Sequence, residues 1–85
     1  MQNERESAET LAIAALGWLA ADEDRWQRYL GATGASAESV ARSAREPELL
    51  AAVMDFLLTE DQLVMAFATD AGVRPEAVLR TRRLL

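Results

Sequence analysis

Ala8-Glu-Thr-Leu-Ala-Ile-Ala-Ala-Leu-Gly-Trp-Leu-Ala-Ala21 spaces its apolar residues by three and four, so that Ala8, Leu11, Ala12, Ala15, Leu16 and Leu19 form one helical stripe. Ile13 and Trp18 widen the stripe to most of the circumference, which predicts a first helix that is the central, best buried element. The unbroken apolar run from Leu11 to Ala21 is eleven residues. That is about half of the roughly 20 needed to span a bilayer, so it reads as a buried helix. Asn3 with Glu6 has capping-box spacing at its start, and Ser7 is a competing start.

Outward from this helix the pattern recurs, each time with its own punctuation. Asp22-Glu23-Asp24 suits the first turn of a second helix, where carboxylates meet the positive end of the dipole, and Trp26, Tyr29 and Leu30 form its apolar face. Gly31 or Gly34 ends it. Ser36 is the N-cap of a short third helix carrying Val40, Ala41 and Ala44, which must stop near Arg45 because Glu46 precedes Pro47. Pro47 opens a fourth helix with Leu50, Val53, Met54 and Leu57 in one stripe, extended by Leu49 and Phe56. Thr59-Glu-Asp-Gln62 has the spacing of a capping box, so a fifth helix is expected to begin there and to bury Leu63, Val64, Phe67, Ala68 and Ala71. Gly72 closes it by supplying a positive φ. Pro75 starts a sixth helix with Val78 inward, Leu79 as a second inward candidate, and Leu84-Leu85 fraying or docking at its end. No alternating run of β-branched residues predicts a strand.

The fold class is therefore all-α: a compact orthogonal bundle of five to six short helices, with the first and fourth packed centrally against each other. With 85 residues, 1–85 reads as a single helical domain with room for one core. A chain of this size buries only about 60% of its unfolded surface. Shifted by 38 residues the chain matches itself: Leu11 meets Leu49, Leu19 meets Leu57, Gly34 meets Gly72, Val40 meets Val78 and Arg42 meets Arg80. Residues 11–45 and 49–83 are then pseudo-repeats of a three-helix unit. Each half is acidic first and basic last. The alternative is that any two amphipathic helix pairs rich in Ala and Leu align to this degree.

Composition removes most catalytic chemistry. All nine basic residues are Arg, against fourteen acids, and the chain has no Lys, Cys or His. Schiff-base lysines, thiolate nucleophiles, disulfides, imidazole acid–base work and the nitrogen and sulfur ligands of zinc sites are all excluded. Asp22, Asp24 and Asp61 sit where helix N-termini favour negative charge for structural reasons. Asp55 interrupts an apolar helix, so it stands at the solvent edge of the stripe or is held by a cap or an Arg, since an unpaired buried carboxylate is too costly. No catalytic residue, cofactor site or metal site is expected, and the chain does not read as an enzyme.

Binding leaves two signals. Ala68, Gly72 and Val78 have the spacing of a DNA-reading helix-turn-helix, repeated by Leu30, Gly34 and Val40. The sixth helix would then offer Arg74, Arg80, Arg82 and Arg83 to nucleic acid. Against this, the chain is acidic overall at −5, phosphate affinity wants a basic surface, and the helix opens with Pro75-Glu76. Trp26, between Arg25 and Arg28, is either core or a partially exposed anchor for a protein partner. Asn3-Glu-Arg-Glu lacks the basic start of a signal peptide, so a cytoplasmic location is expected, with no membrane partner.

Leu16-Gly-Trp-Leu19 followed by Asp22, Tyr29-Leu-Gly-Ala-Thr-Gly34, Glu46-Pro47, and above all Val53-Met-Asp-Phe-Leu-Leu58 followed by Glu60-Asp61 resemble the small alphaproteobacterial domain-of-unknown-function family 3572. The resemblance covers nearly the whole chain and implies a short bacterial helical protein. It brings no activity and no functional residue. By elimination the expected function is a non-catalytic regulatory or adaptor module that binds a protein partner, with the helix-turn-helix-like nucleic-acid binder as the alternative.

Overall fold

A computed structural model describes residues 3–85. Among them lie six helices and no strand: α1 Glu4–Ala20, α2 Glu23–Thr33, α3 Ala37–Arg42, α4 Pro47–Leu58, α5 Asp61–Ala71 and α6 Glu76–Leu84. The architecture is an all-α bundle, and the local signals that start and stop its helices are mostly those written in the sequence. Asn3 Oδ1 accepts the Glu6 amide at 2.8 Å and Asp22 Oδ1 accepts the Arg25 amide at 3.0 Å, each satisfying an N–H that has no partner inside its helix. Ser36 and Ser39 cap α3 reciprocally, each side chain accepting the other's backbone N–H at 3.1 Å. Gly34 and Gly72 end α2 and α5 at φ 74° and 70°, a conformation in which a Cβ would be strained.

Three boundaries differ from expectation. Helix α3 stops at Arg42 rather than near Arg45, and Glu46 donates its amide to the Ser43 carbonyl at 2.9 Å in the turn that leads to Pro47. Thr59 does not open α5. It lies in helical backbone at φ −72°, ψ −21° as the C-cap of α4, and its hydroxyl donates to the Phe56 carbonyl at 2.6 Å. The extended backbone typical of an N-cap falls to Glu60 at φ −140°, ψ 126°, without a side-chain cap bond. Pro75 flanks α6 as its N-cap, with helical dihedrals, one residue before the first helical position.

Helices α1 and α4 pack against each other, and each also touches α2, α5 and α6. The better buried of the two is α4. Its Leu50, Val53, Met54 and Leu57 are fully enclosed and Phe56 is 8% exposed. Helix α1 buries only the line Ala8, Ala12, Ala15 and Leu19, while Leu11, Leu16 and Trp18 are half-buried and Ile13 is 40% exposed. Small side chains along the contact let α1 approach its neighbours closely, because interaxial distance follows the residues between the axes. Ile13, round the helix from that line, is left in solvent. Tyr29, Val40, Leu63, Phe67 and Val78 join the buried residues of α4 and Ala12, Ala15 and Leu19 of α1 in a single core cluster.

The 38-residue offset has a geometric counterpart. It carries the span of α2 onto that of α5, the end of α1 onto the end of α4, and Gly34 onto Gly72. The ring pairs follow it as well. Trp18 meets Phe67 edge to face at 5.5 Å and 64°, and Tyr29 meets Phe56 at 5.6 Å and 76°. The offset takes Trp18 to Phe56 and Tyr29 to Phe67, so each half reaches across to hold the other with the same contact. The third helices break the correspondence, since α6 packs on both α1 and α4 whereas α3 packs extensively on neither.

Two outcomes test this core. Leu50→Ala should cost about 2–5 kcal/mol in urea unfolding, the range for truncating an enclosed leucine, while Ile13→Ala should stay within about 0.5 kcal/mol. Burial pushes the Tyr29 phenol above its ordinary 10.0, so the folded state resists its ionisation while the unfolded chain does not. The resulting stability is intact below pH about 10 and falls as pH rises beyond it. Tyr29 is the only tyrosine, so Tyr29→Phe should flatten the alkaline loss of melting temperature between about pH 9 and pH 11.

Candidate docking face on the last helix

Helix α6 turns Val78 and Thr81 into the core and leaves Glu76, Leu79, Arg80 and Arg83 exposed. These four recur at three and four residues and so share the outer face. Leu79, a candidate for the inward side, is instead 44% exposed, because Val78 and Thr81 already fill the contact with α1 and α4. Beside this face runs a groove of about 520 Å³ between α1 and α6, with Leu11, Ala14, Val73, Ala77 and Leu84 among its lining. Glu4 and Arg80 also line it and pair at 2.9 Å, with both side chains about 70% exposed.

The four arginines of the last segment are not equivalent. Arg80 is held by Glu4, and Arg82 Nε donates to Asp55 Oδ1 at 2.7 Å. Asp55 thus stands at the solvent edge of α4 with an Arg partner, the two placements open to it combined. Among the described residues Arg74 and Arg83 are exposed and have no ion-pair partner. Arg82 and Arg83, in the last turn of α6, also meet the negative end of its dipole. None of these pairings is visible in the sequence, since Glu4 and Arg80 are 76 residues apart and Asp55 and Arg82 are 27 apart.

The α5–Gly72–α6 joint has the buried Ala68 and Val78 that its spacing implies. Packing two helices through a glycine turn demands the same residues. The first turn of α6, from which base contacts would come, exposes Glu76, a negative charge that the phosphate backbone repels. Two of its arginines are partly neutralised by Glu4 and Asp55.

Trp26 is half-buried, packs against the core cluster and stacks on Tyr29 at 5.6 Å and 24°. Its neighbours are engaged too. The Arg25 guanidinium lies 3.7 Å from the centre of the Trp18 ring, and Arg28 pairs with Glu60. Trp18 Nε1 donates to Asp70 Oδ2 at 2.7 Å, an interaction with no local sequence signal. The carboxylates do not converge: Asp22 caps α2, Asp24 and Asp61 lie in the first turns of α2 and α5, and Asp55 faces Arg82. Among the described residues no group of three acids could hold a metal ion.

The model of one protein family, described as protein of unknown function (DUF3572), matches residues 5–85. No curated protein and no solved structure matches the chain.

The ion pairs give a quantitative expectation. Both partners of the Arg82–Asp55 pair are more than a third exposed, so a double-mutant cycle with Arg82→Gln and Asp55→Asn should return a coupling of less than about 1 kcal/mol, shrinking with added salt.

Proposed function

The chain belongs to the DUF3572 family of proteins of unknown function, and from that premise we propose that it is a non-catalytic regulatory or adaptor module that docks a protein partner on α6 and the adjoining edge of α1. The observation that carries the reading is the exposed Leu79 set among Arg74, Arg80 and Arg83 beside an apolar-floored groove. An exposed large apolar side chain with arginines round it is the composition of a protein-binding surface, where apolar anchors and Arg contribute most of the affinity. Supporting it is the lack of convergent reactive groups: no Lys, Cys or His exists in the chain, and the Asp side chains described above serve helix ends and ion pairs. Trp26 is half-buried and stacks on Tyr29, which supports giving recognition to α6 instead. A site of action in the bacterial cytoplasm belongs to the same proposal. Among the described residues no helix is long and apolar enough to cross a membrane.

A benzophenone amino acid placed at Leu79 should give a discrete crosslinked protein adduct in the source cells, whereas the same probe at Met65, 54% exposed on α5, should give none. Anisotropy titration with duplex DNA at physiological salt should show no binding. Tight association that weakens by roughly one power of salt concentration per phosphate, and that is abolished by Arg80→Gln, Arg82→Gln and Arg83→Gln together, would replace this reading with nucleic-acid recognition by α6.

A further inference from the structure

Resting on the docking reading, we infer that the groove between α1 and α6 takes an acidic amphipathic helix of the partner protein, whose carboxylates displace Glu4 from Arg80 and engage Arg83, which lies on the face beside the groove and has no ion-pair partner among the described residues. The floor formed by Leu11, Ala14, Val73, Ala77 and Leu84 is apolar and lies between two helices. That is the setting in which the apolar face of a third helix is buried, through anchors at three- and four-residue spacing. Leu79 continues the apolar surface outward over α6.

Charge selects the occupant. The groove and the face beside it are lined by Arg74, Arg80 and Arg83 against Glu4 and Glu76, a small positive balance in a chain whose net charge is −5. An acidic segment is therefore repelled by most of the molecule and drawn to this end of α6, which orients its approach. Arg80 and Arg83 are three residues apart on the helix, a rise of about 4.5 Å. Two carboxylates one turn apart on an adjacent helix match that spacing. The Glu4–Arg80 pair borders the groove with both side chains largely in water, so exchanging the Glu4 carboxylate for one from the partner removes little stabilisation. Glu4 acts as an internal competitor that any occupant must displace.

Two synthetic helical peptides test this with the full chain: one with leucines at three- and four-residue spacing flanked by glutamates, the other its twin with each Glu replaced by Lys. Fluorescence anisotropy should show the Glu peptide binding at least about tenfold tighter than the Lys twin, with the advantage shrinking as salt rises. Arg80→Gln with Arg83→Gln should remove that advantage. Glu4→Gln, which frees Arg80, should strengthen Glu-peptide binding about two- to fivefold, the scale of an exposed ion pair. Circular dichroism confirms that each variant is folded. Equal affinity for the two peptides, no binding of either, or indifference to Glu4→Gln overturns the inference. The crosslink at Leu79 separates the two levels: an adduct without charge-selective peptide binding leaves the docking face standing and removes the acidic helix, whereas loss of both removes the docking face as well.

Discussion

Five side chains of α4, Leu50, Val53, Met54, Phe56 and Leu57, must be kept from water at once, and the placement of the other helices follows from that requirement. Helices α1, α2, α5 and α6 all pack against α4, and the core is one cluster with α4 contributing more of it than any other helix. In a chain of 85 residues no second core can form to share the burial. The alanine line of α1 follows from it. A bulkier line would hold α1 away from α4 and α6 and open the space that Val53, Met54 and Val78 now fill.

The aromatic contacts show how the two halves are joined. Neither Trp18 nor Phe56 packs its ring edge to face against the helix next in its own half. Trp18 reaches Phe67 in α5 and Phe56 reaches Tyr29 in α2, with nearly equal separations and angles. A helix pair taken alone would lose these cross-contacts, and in a domain this small their loss is a large fraction of the total stability. The asymmetry of the third helices sets the face at α6 apart. Helix α6 lies across both α1 and α4, whereas α3 does not, so α6 forms the groove with α1 and sets Arg80 at its rim.

Much of this architecture was legible in the chain. Pro47, Gly34, Gly72, Asn3, Asp22 and Ser36 act where the sequence places them, because caps and positive-φ glycines are satisfied by backbone groups a few residues away. Thr59 was misleading for a related reason. Its hydroxyl had two local partners within reach, the N–H groups ahead and the Phe56 carbonyl behind, and the tight passage from α4 to α5 put its backbone in the helical region that favours the second. The candidate face was only half legible: the arginines could be counted, but not which of them were already paired.

Sequence alone determined the helical class, a count of five to six helices, most of their caps, the inward stripe of α4 and the exclusion of most catalytic chemistry, since each depends on residue type and on spacing within a turn or two. Tertiary structure decided that α4 rather than α1 is the best buried helix, that Ile13 and Leu79 face solvent, that Arg80 and Arg82 are held by Glu4 and Asp55, and that Trp18 closes on Phe67 and Asp70. Those outcomes join residues tens of positions apart. Periodicity shows that a helix has an apolar side, but how much of that side is covered depends on the size of the side chains facing it, and only the packed molecule brings those together.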